Sequence, residues 1–222
     1  MPVPPTTPIH TVIFDFDGTI ADTLDVVVRI ANHLAGEFGY EPVTNEQVKA
    51  FKHLSSRQII QSSGVPLMRV PFLLRRVRTE LKTEISTAIP IPGIPEVLAQ
   101  LQIQGYHLGI ATSNSRDNVL AFLAANQLTP AFDFIYSGLT LLGKGRLLKR
   151  ILAKERLHPT SVVYVGDETR DIEAAKQVGV WTIAVAWGFN SREILTKHQP
   201  DYLIHHPQQL LEVLAQNGQS AR

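Results

Sequence analysis

Thr11-Val12-Ile13-Phe14-Asp15-Phe16-Asp17-Gly18-Thr19-Ile20 is the stretch on which the reading of the fold turns. Residues 11–16 form a short apolar run rich in β-formers, which reads as a buried strand. Asp15 and Asp17 lie two positions apart, so on an extended chain their side chains leave the same face, toward the strand's exit. Gly18 permits a sharp turn there. Two carboxylates this close repel each other unless a cation or a shared proton offsets them. Taken alone, the pair is also what an ordinary acidic turn after a strand would look like.

The pattern changes outward from this point. Between Asp22 and Ile85 no strand is evident, but helical stretches are. Leu24, Val27, Val28, Ala31, Leu34 and Ala35 recur at the spacing of an amphipathic helix. Thr44 with Gln47 predicts a capping box opening a second helix, and Ser55 or Ser56 would cap a third that ends before Gly64-Val65-Pro66. A fourth runs over 71–85. Beyond Ile89-Pro90-Ile91-Pro92-Gly93, strands at 106–112, 132–137, 162–165, 181–186 and 201–204 alternate with helices at 116–126, 144–155, 169–178 and 208–216. This alternation predicts βαβ units: an α/β chain with a doubly wound, Rossmann-like parallel sheet covered on both faces. The first strand belongs to that sheet by character, so 9–20 and 87–222 form the core. Residues 21–86 are an all-helical domain inserted after the first strand, and 1–8 are a disordered Pro-rich tail.

Composition narrows the function classes. The chain has 222 residues, long enough for one α/β domain and a modest insertion. Charged residues make up 18%, below the roughly 25% usual in soluble domains, which argues against disorder and coiled coil. The formal net charge of +1 gives no electrostatic footprint for nucleic acid or an anionic membrane. With no cysteine, disulfides, Cys-ligated zinc, iron–sulfur clusters and thiol catalysis are excluded. The N-terminus lacks the features of a signal peptide, and no stretch approaches a membrane span. A cytoplasmic globular protein is the expectation.

In doubly wound sheets, ligands bind beyond the carboxyl ends of the strands, so the other exits decide what Asp15 and Asp17 mean. Ala111-Thr112-Ser113-Asn114 ends the second strand, offering a hydroxyl and backbone donors at a helix start, a natural anion seat. Lys144 opens the next helix after Gly143, where a cation opposes the macrodipole unless an anion lies nearby. Gly166-Asp167-Glu168-Thr169-Arg170-Asp171 ends the fourth strand. Glu168 and Asp171 suit any first helical turn, but Asp167 at the exit itself is less ordinary. Converging, these groups are the inventory for Mg²⁺-assisted phosphoryl transfer to a carboxylate.

With these motifs in this order, the sequence resembles the haloacid dehalogenase superfamily of aspartyl-phosphate hydrolases, in particular its helical-cap, phosphoglycolate-phosphatase-like branch. The likeness covers nearly the whole chain. Residues 15–20 look like the first motif, Thr112 the second, Lys144 the third and 166–171 the fourth. The resemblance implies that Asp15 is the nucleophile and that Asp17 is the general acid and then the base. Asp15, Asp167 and the Asp17 main-chain carbonyl would hold Mg²⁺, with Asp171 supporting its water shell or orienting Lys144. Thr112, the Ser113 amide and Lys144 would hold the phosphoryl group, and the implied partner is a small phosphorylated metabolite. Gly145 stands where many relatives have proline after the lysine, and Glu168 where a small hydroxyl residue is frequent. Neither change removes a group that the chemistry needs.

The remaining signals are weaker. Gly138 to Lys144 matches most of a P-loop, but Gly145 replaces the residue that would hold Mg²⁺. Arg69, Arg75, Arg76, Arg78, Lys82 and Arg57 make the insertion basic, as a solvated helix face or as a surface meeting the substrate's non-phosphate end. Lys52 and Arg57 resemble the specificity-setting cap loop of relatives, where a cationic pair would favour an acidic or doubly phosphorylated substrate. The eight histidines show no zinc spacing. Besides a phosphatase, the sequence leaves open a sugar phosphomutase of the same superfamily, or a non-catalytic module on the same scaffold.

Overall fold

Val12 and Phe14 point into one hydrophobic core and Ile13 into a second on the opposite side, and all three are fully buried. That alternation fixes β1 (Thr11–Phe14) as a central strand with both faces covered. The computed structural model describes residues 7–138 and 143–219. Most of the Pro-rich tail, and residues 139–142 of the P-loop-like stretch, fall outside the described residues.

Five further strands join β1 in one parallel sheet: β2 (His107–Thr112), β3 (Phe134–Ser137), β4 (Val162–Gly166), β5 (Trp181–Val185) and β6 (Tyr202–Ile204). Their order is β3-β2-β1-β4-β5-β6. This is the doubly wound, Rossmann-like arrangement expected from the sequence, with winding reversed between β1 and β4. The exits of those two strands therefore border the crevice in which such sheets bind ligands.

The helices are α1 (Leu24–Phe38), α2 (Asn45–Phe51), α3 (Ser56–Ser62), α4 (Val70–Glu84), α5 (Ile94–Ile103), α6 (Arg116–Ala125), α7 (Lys144–Lys154), α8 (Thr169–Val178), α9 (Arg192–Lys197) and α10 (Gln209–Gln219). Leu148 and Ile151 of α7, with Ala174 and Ala175 of α8, cover the face that holds Ile13 and Tyr164. Leu98 and Leu101 of α5, Phe122 of α6 and Leu214 of α10 cover the other. Each such large side chain contributes about 1.5–3 kcal/mol by leaving water. Phe16 and Phe122 add an edge-to-face contact at 5.1 Å, which holds the chain beyond β1 against α6.

Helices α1–α4 form the inserted layer. Thr44 closes the expected capping box on Gln47, and of the two candidate caps Ser55 and Ser56 it is Ser55 that caps α3, closing a second box on Gln58. Ile30, Leu34 and Phe38 of α1 and Leu81 of α4 join the core cluster of the sheet. The two chain crossings between layer and sheet run side by side: the Asp22 amide donates to the Ile89 carbonyl at 3.0 Å, and the Ile91 amide to the Ile20 carbonyl at 2.8 Å. Two helices go beyond the sequence expectation, α5 and the six-residue α9, which Ser191 caps. Among the described residues, no helix is long and apolar enough to cross a membrane.

Candidate active site

Asp15 directly follows β1, and its amide continues the pairing with β4 by donating to the Val165 carbonyl at 2.8 Å. The side chain is buried; Oδ1 accepts from the Phe16 amide at 2.7 Å and Oδ2 from Lys144 Nζ at 2.5 Å. Lys144, the first residue of α7, also donates to Asp171 Oδ1, and its Nζ lies 5.4 Å from the centroid of the Tyr164 ring. A cation at a helix start is unfavourable on its own, and these two carboxylates explain why one is held there. Burial pulls the ammonium's pKa down, but Asp15 and Asp171 outweigh it and the net direction is up.

Asp167 leaves the adjacent β4. Its Oδ1 accepts from Thr19 Oγ1 and its Oδ2 from the Phe189 amide, both at 2.8 Å. Gly18, in a turn with φ of 74°, and Gly188 press so closely on Asp167 that a Cβ at either would overlap its side chain. Asp171 is fixed from α8, where its Oδ2 accepts from the Glu168 amide at 2.9 Å. Asp15, Asp167 and Asp171 each offer one oxygen, and these atoms all lie within 4.8 Å of one another.

The charges do not balance. Five carboxylates (Asp15, Asp17, Asp167, Glu168 and Asp171) face Lys144 and Arg170, and Arg78 acts on Asp17 from the cavity wall. If all ionise, the excess among the described residues is two negative charges. Burial pushes Asp167 well above the usual carboxylate range, and Glu168, Asp171 and Asp15 push it further. Burial likewise raises Asp171 to about 6 despite Lys144 beside it. A buried excess of hard carboxylate oxygens fits a hard, oxygen-seeking divalent cation.

Asp17 takes partners of its own, on the wall of a cavity. Thr23 Oγ1 donates to its Oδ1 at 2.9 Å, and Asn114 Nδ2 lies 3.1 Å from both of its oxygens. Burial, and then the charge on Asp15, raise its pKa to about 6. Thr112 is buried at the end of β2, its Oγ1 accepting from the Asn114 amide at 2.9 Å, while Ser113 lines the cavity. The cavity, of about 340 Å³, lies between the inserted helices and the carboxyl ends of the strands.

The structure thus gathers Asp15, Lys144, Asp167 and Asp171 into one cluster, with Asp17 and Ser113 beside it on the cavity wall. Lys52 and Arg57 are not brought to that wall. The Lys52 carbonyl accepts from the Ser191 amide at 2.7 Å, and Arg57 is exposed. The inserted layer instead presents Ser56, whose Oγ donates to Glu168 Oε2 at 2.5 Å, and Arg78. Arg170 pairs with Glu168, its Nε donating to Oε1 at 2.9 Å. Sequence reasoning gave no role to Thr19, Asn114, Arg170 or Phe189. Thr19 and Arg170 lie inside the motifs and Asn114 two residues past Thr112, so adjacency is the available signal; the Phe189 amide offers none.

The fold and these groups define a doubly wound α/β enzyme with a buried acidic centre able to hold a metal ion, under a lid of helices. The sequence matches the model of the haloacid dehalogenase-like hydrolase family over residues 12–185, and the chain belongs to that family. It is 42% identical over 207 residues to a phosphoglycolate phosphatase of Synechococcus elongatus, covering 93% of this chain and 98% of that one. A pyrophosphatase PpaX of Bacillus pumilus is 27% identical, with 93% and 96% covered. Among solved structures, a haloacid dehalogenase-like family protein of Streptococcus pneumoniae superposes with a TM-score of 0.77 at 23% identity, covering 92% of this chain and 97% of that one, which speaks for the fold.

Proposed function

We propose that this enzyme is a Mg²⁺-dependent phosphatase that hydrolyses small phosphate monoesters, phosphoglycolate first among them, through an aspartyl-phosphate on Asp15. One observation carries the reading: three buried carboxylates at the exits of β1 and β4 converge within 4.8 Å, with Lys144 on Asp15 and Asp171. The similarity to a phosphoglycolate phosphatase supports the choice of ester.

In this reading, an Asp15 oxygen attacks phosphorus as the ester P–O bond breaks, and Asp17 gives its proton to the departing alcohol oxygen. A carboxyl with a pKa near 6 suits that donor. Asp17, now ionised, then takes a proton from water as the water's oxygen attacks phosphorus, releasing phosphate and freeing Asp15. Thr112, the Ser113 amide and Lys144 hold the phosphoryl oxygens and offset their charge. Asp15, Asp167 and the Asp17 carbonyl would hold Mg²⁺ with support from Asp171, and the ion would supply Lewis-acid stabilisation of the transferring group. Residues 21–86 serve as a cap that excludes bulk water when closed. No observation favours the phosphomutase or the non-catalytic module.

The test is phosphate release from a panel of phosphorylated metabolites. Release from phosphoglycolate with Mg²⁺, abolished by EDTA and restored by added Mg²⁺, is expected; turnover indifferent to EDTA would overturn the metal-dependent reading. Interconversion of sugar phosphates without net release would point to a mutase.

Metal binding should also register in stability. The folded state raises the pKa of Asp17 and Asp171 to about 6. The stability these groups contribute is therefore present at acid pH and is lost as pH rises through about 6. A cation that offsets the ionised groups matters most above that range. Mg²⁺ at about 100 times its Kd, near pH 7.5, is expected to raise the melting temperature by about 5–10 °C. Near pH 5 the gain should shrink to a degree or two, as protons compete for the same oxygens. A gain independent of pH in thermal-shift measurements would contradict carboxylate ligation.

A further inference from the structure

We propose that Arg78 is a specificity-determining residue of this site, receiving a second anionic group, a carboxylate, on a short phosphate ester. The inference deepens the phosphatase reading and rests on it.

The side of the cavity away from Asp17 is built from the inserted helices and is almost entirely aliphatic. Leu74, Val77, Arg78 and Leu81 line it from one face of α4, spaced as i, i+3, i+4 and i+7, and Val27 of α1 and Ile59 of α3 complete the wall. Apart from Ser56, already bonded to Glu168, and Arg78, such a wall offers sugar hydroxyls few partners, so a polyhydroxylated ester would lose hydrogen bonds to water on entering.

Among the described residues lining the cavity, two are cationic, Arg78 and Arg170. The Arg170 guanidinium is already engaged by Glu168 through Nε and Nη2. Arg78 has no ion pair among the described residues, and its guanidinium makes one long hydrogen bond, from Nη2 to the Gly138 carbonyl at 3.5 Å. A half-buried guanidinium that no carboxylate ion-pairs, although the charge of Asp17 acts on it, set in an aliphatic wall, is matched by a planar anion able to take two of its N–H donors.

Its position is also tied to Asp17. The Arg78 carbonyl accepts from Asn118 Nδ2 at 3.1 Å, the same group donates to Asn114 Oδ1 at 2.9 Å, and Asn114 in turn holds Asp17. The anion seat and the group proposed to protonate the leaving oxygen thus share one hydrogen-bonded frame. A cavity of about 340 Å³ sits at the small end of ligand sites, which suits a short ester spanning the two.

The test compares kcat/KM for phosphoglycolate and for ethyl phosphate, two-carbon esters that differ in the carboxylate, in wild type, Arg78→Met and Arg78→Lys with saturating Mg²⁺. Wild type should prefer phosphoglycolate. Arg78→Met, which keeps the bulk and removes the charge, should reduce that preference by about 10- to 150-fold, chiefly through a higher KM for phosphoglycolate. Arg78→Lys should restore part of it, and it carries the comparison alone if Arg78→Met fails to fold. A wild type with no preference, or a preference that survives both substitutions, overturns the proposal while leaving the phosphatase reading intact. A wild type that releases phosphate from neither ester overturns that reading, and this one with it.

Discussion

Asp15→Asn should abolish phosphate release, lowering kcat on the order of 10⁴-fold or more, the scale at which loss of a covalent nucleophile acts. The substitution preserves size and leaves an oxygen to accept from the Phe16 amide, which now donates at 2.7 Å. It removes the negative charge that attacks phosphorus and that Lys144 holds at 2.5 Å. Folding should survive, because the strand β1 that carries this position is locked by Val12, Ile13 and Phe14 rather than by the carboxylate. A soluble, folded variant that releases phosphate within a few-fold of wild type would sink the assignment of Asp15, whatever else the enzyme did.

Lys144→Met should cost stability as well as activity. Lys144 is 4% exposed and lies between two buried carboxylates, so removing its charge strips both of their ion-pair partner and leaves only the more distant Arg170 to offset them. Breaking a buried ion pair from one side typically costs about 3–5 kcal/mol. For a chain of this length that is a fall of about 6–20 °C in melting temperature. Since Asp171 already has a pKa of about 6 with the ammonium present, the variant can escape the cost only by taking up protons. The loss should therefore be largest above neutrality and shrink toward about pH 5. Melts at several pH values separate this from a packing defect, which would cost the same at every pH. An unchanged melting temperature near pH 7.5 would mean that the ammonium does not compensate those groups.

How legible all this is in the sequence depends on how local each cause is. The strands stand out because a strand buried on both faces must be a short, nearly unbroken apolar run, as at Val162-Val163-Tyr164-Val165. Thr44 is readable because a capping box is written within four residues. Helix α5 carries the stripe Ile94, Val97, Leu98 and Leu101, but Pro92 and Pro95 around its start make the segment look like a loop. Pro95 is tolerated because it falls in the first turn, where its missing N–H costs nothing.

The residues of the motifs are legible because Asp15, Thr112 and Asp167 sit at strand exits and Lys144 and Asp171 in the first turns of the helices that follow, places fixed by sheet topology. Their partners are not. That Thr19 would serve Asp167, or that Phe189 would give it an amide, depends on how the β1 turn and the segment after β5 meet in space. The inserted layer shows the same limit. Lys52 and Arg57 occupy the stretch that resembles a specificity loop, whereas the rotation of α4 about its own axis places Arg78 on the cavity wall. That rotation is set by packing against α1, and no short stretch of sequence records it.

Asp167 is confined less by what surrounds it than by atoms that are missing. Two separate segments approach it at positions without a side chain, and at either one a single methyl would already be too much. The acidic nest therefore has no slack to trade, and redesign of this enzyme for new esters must begin on the aliphatic wall opposite, where a change of shape does not reach the clustered carboxylate oxygens.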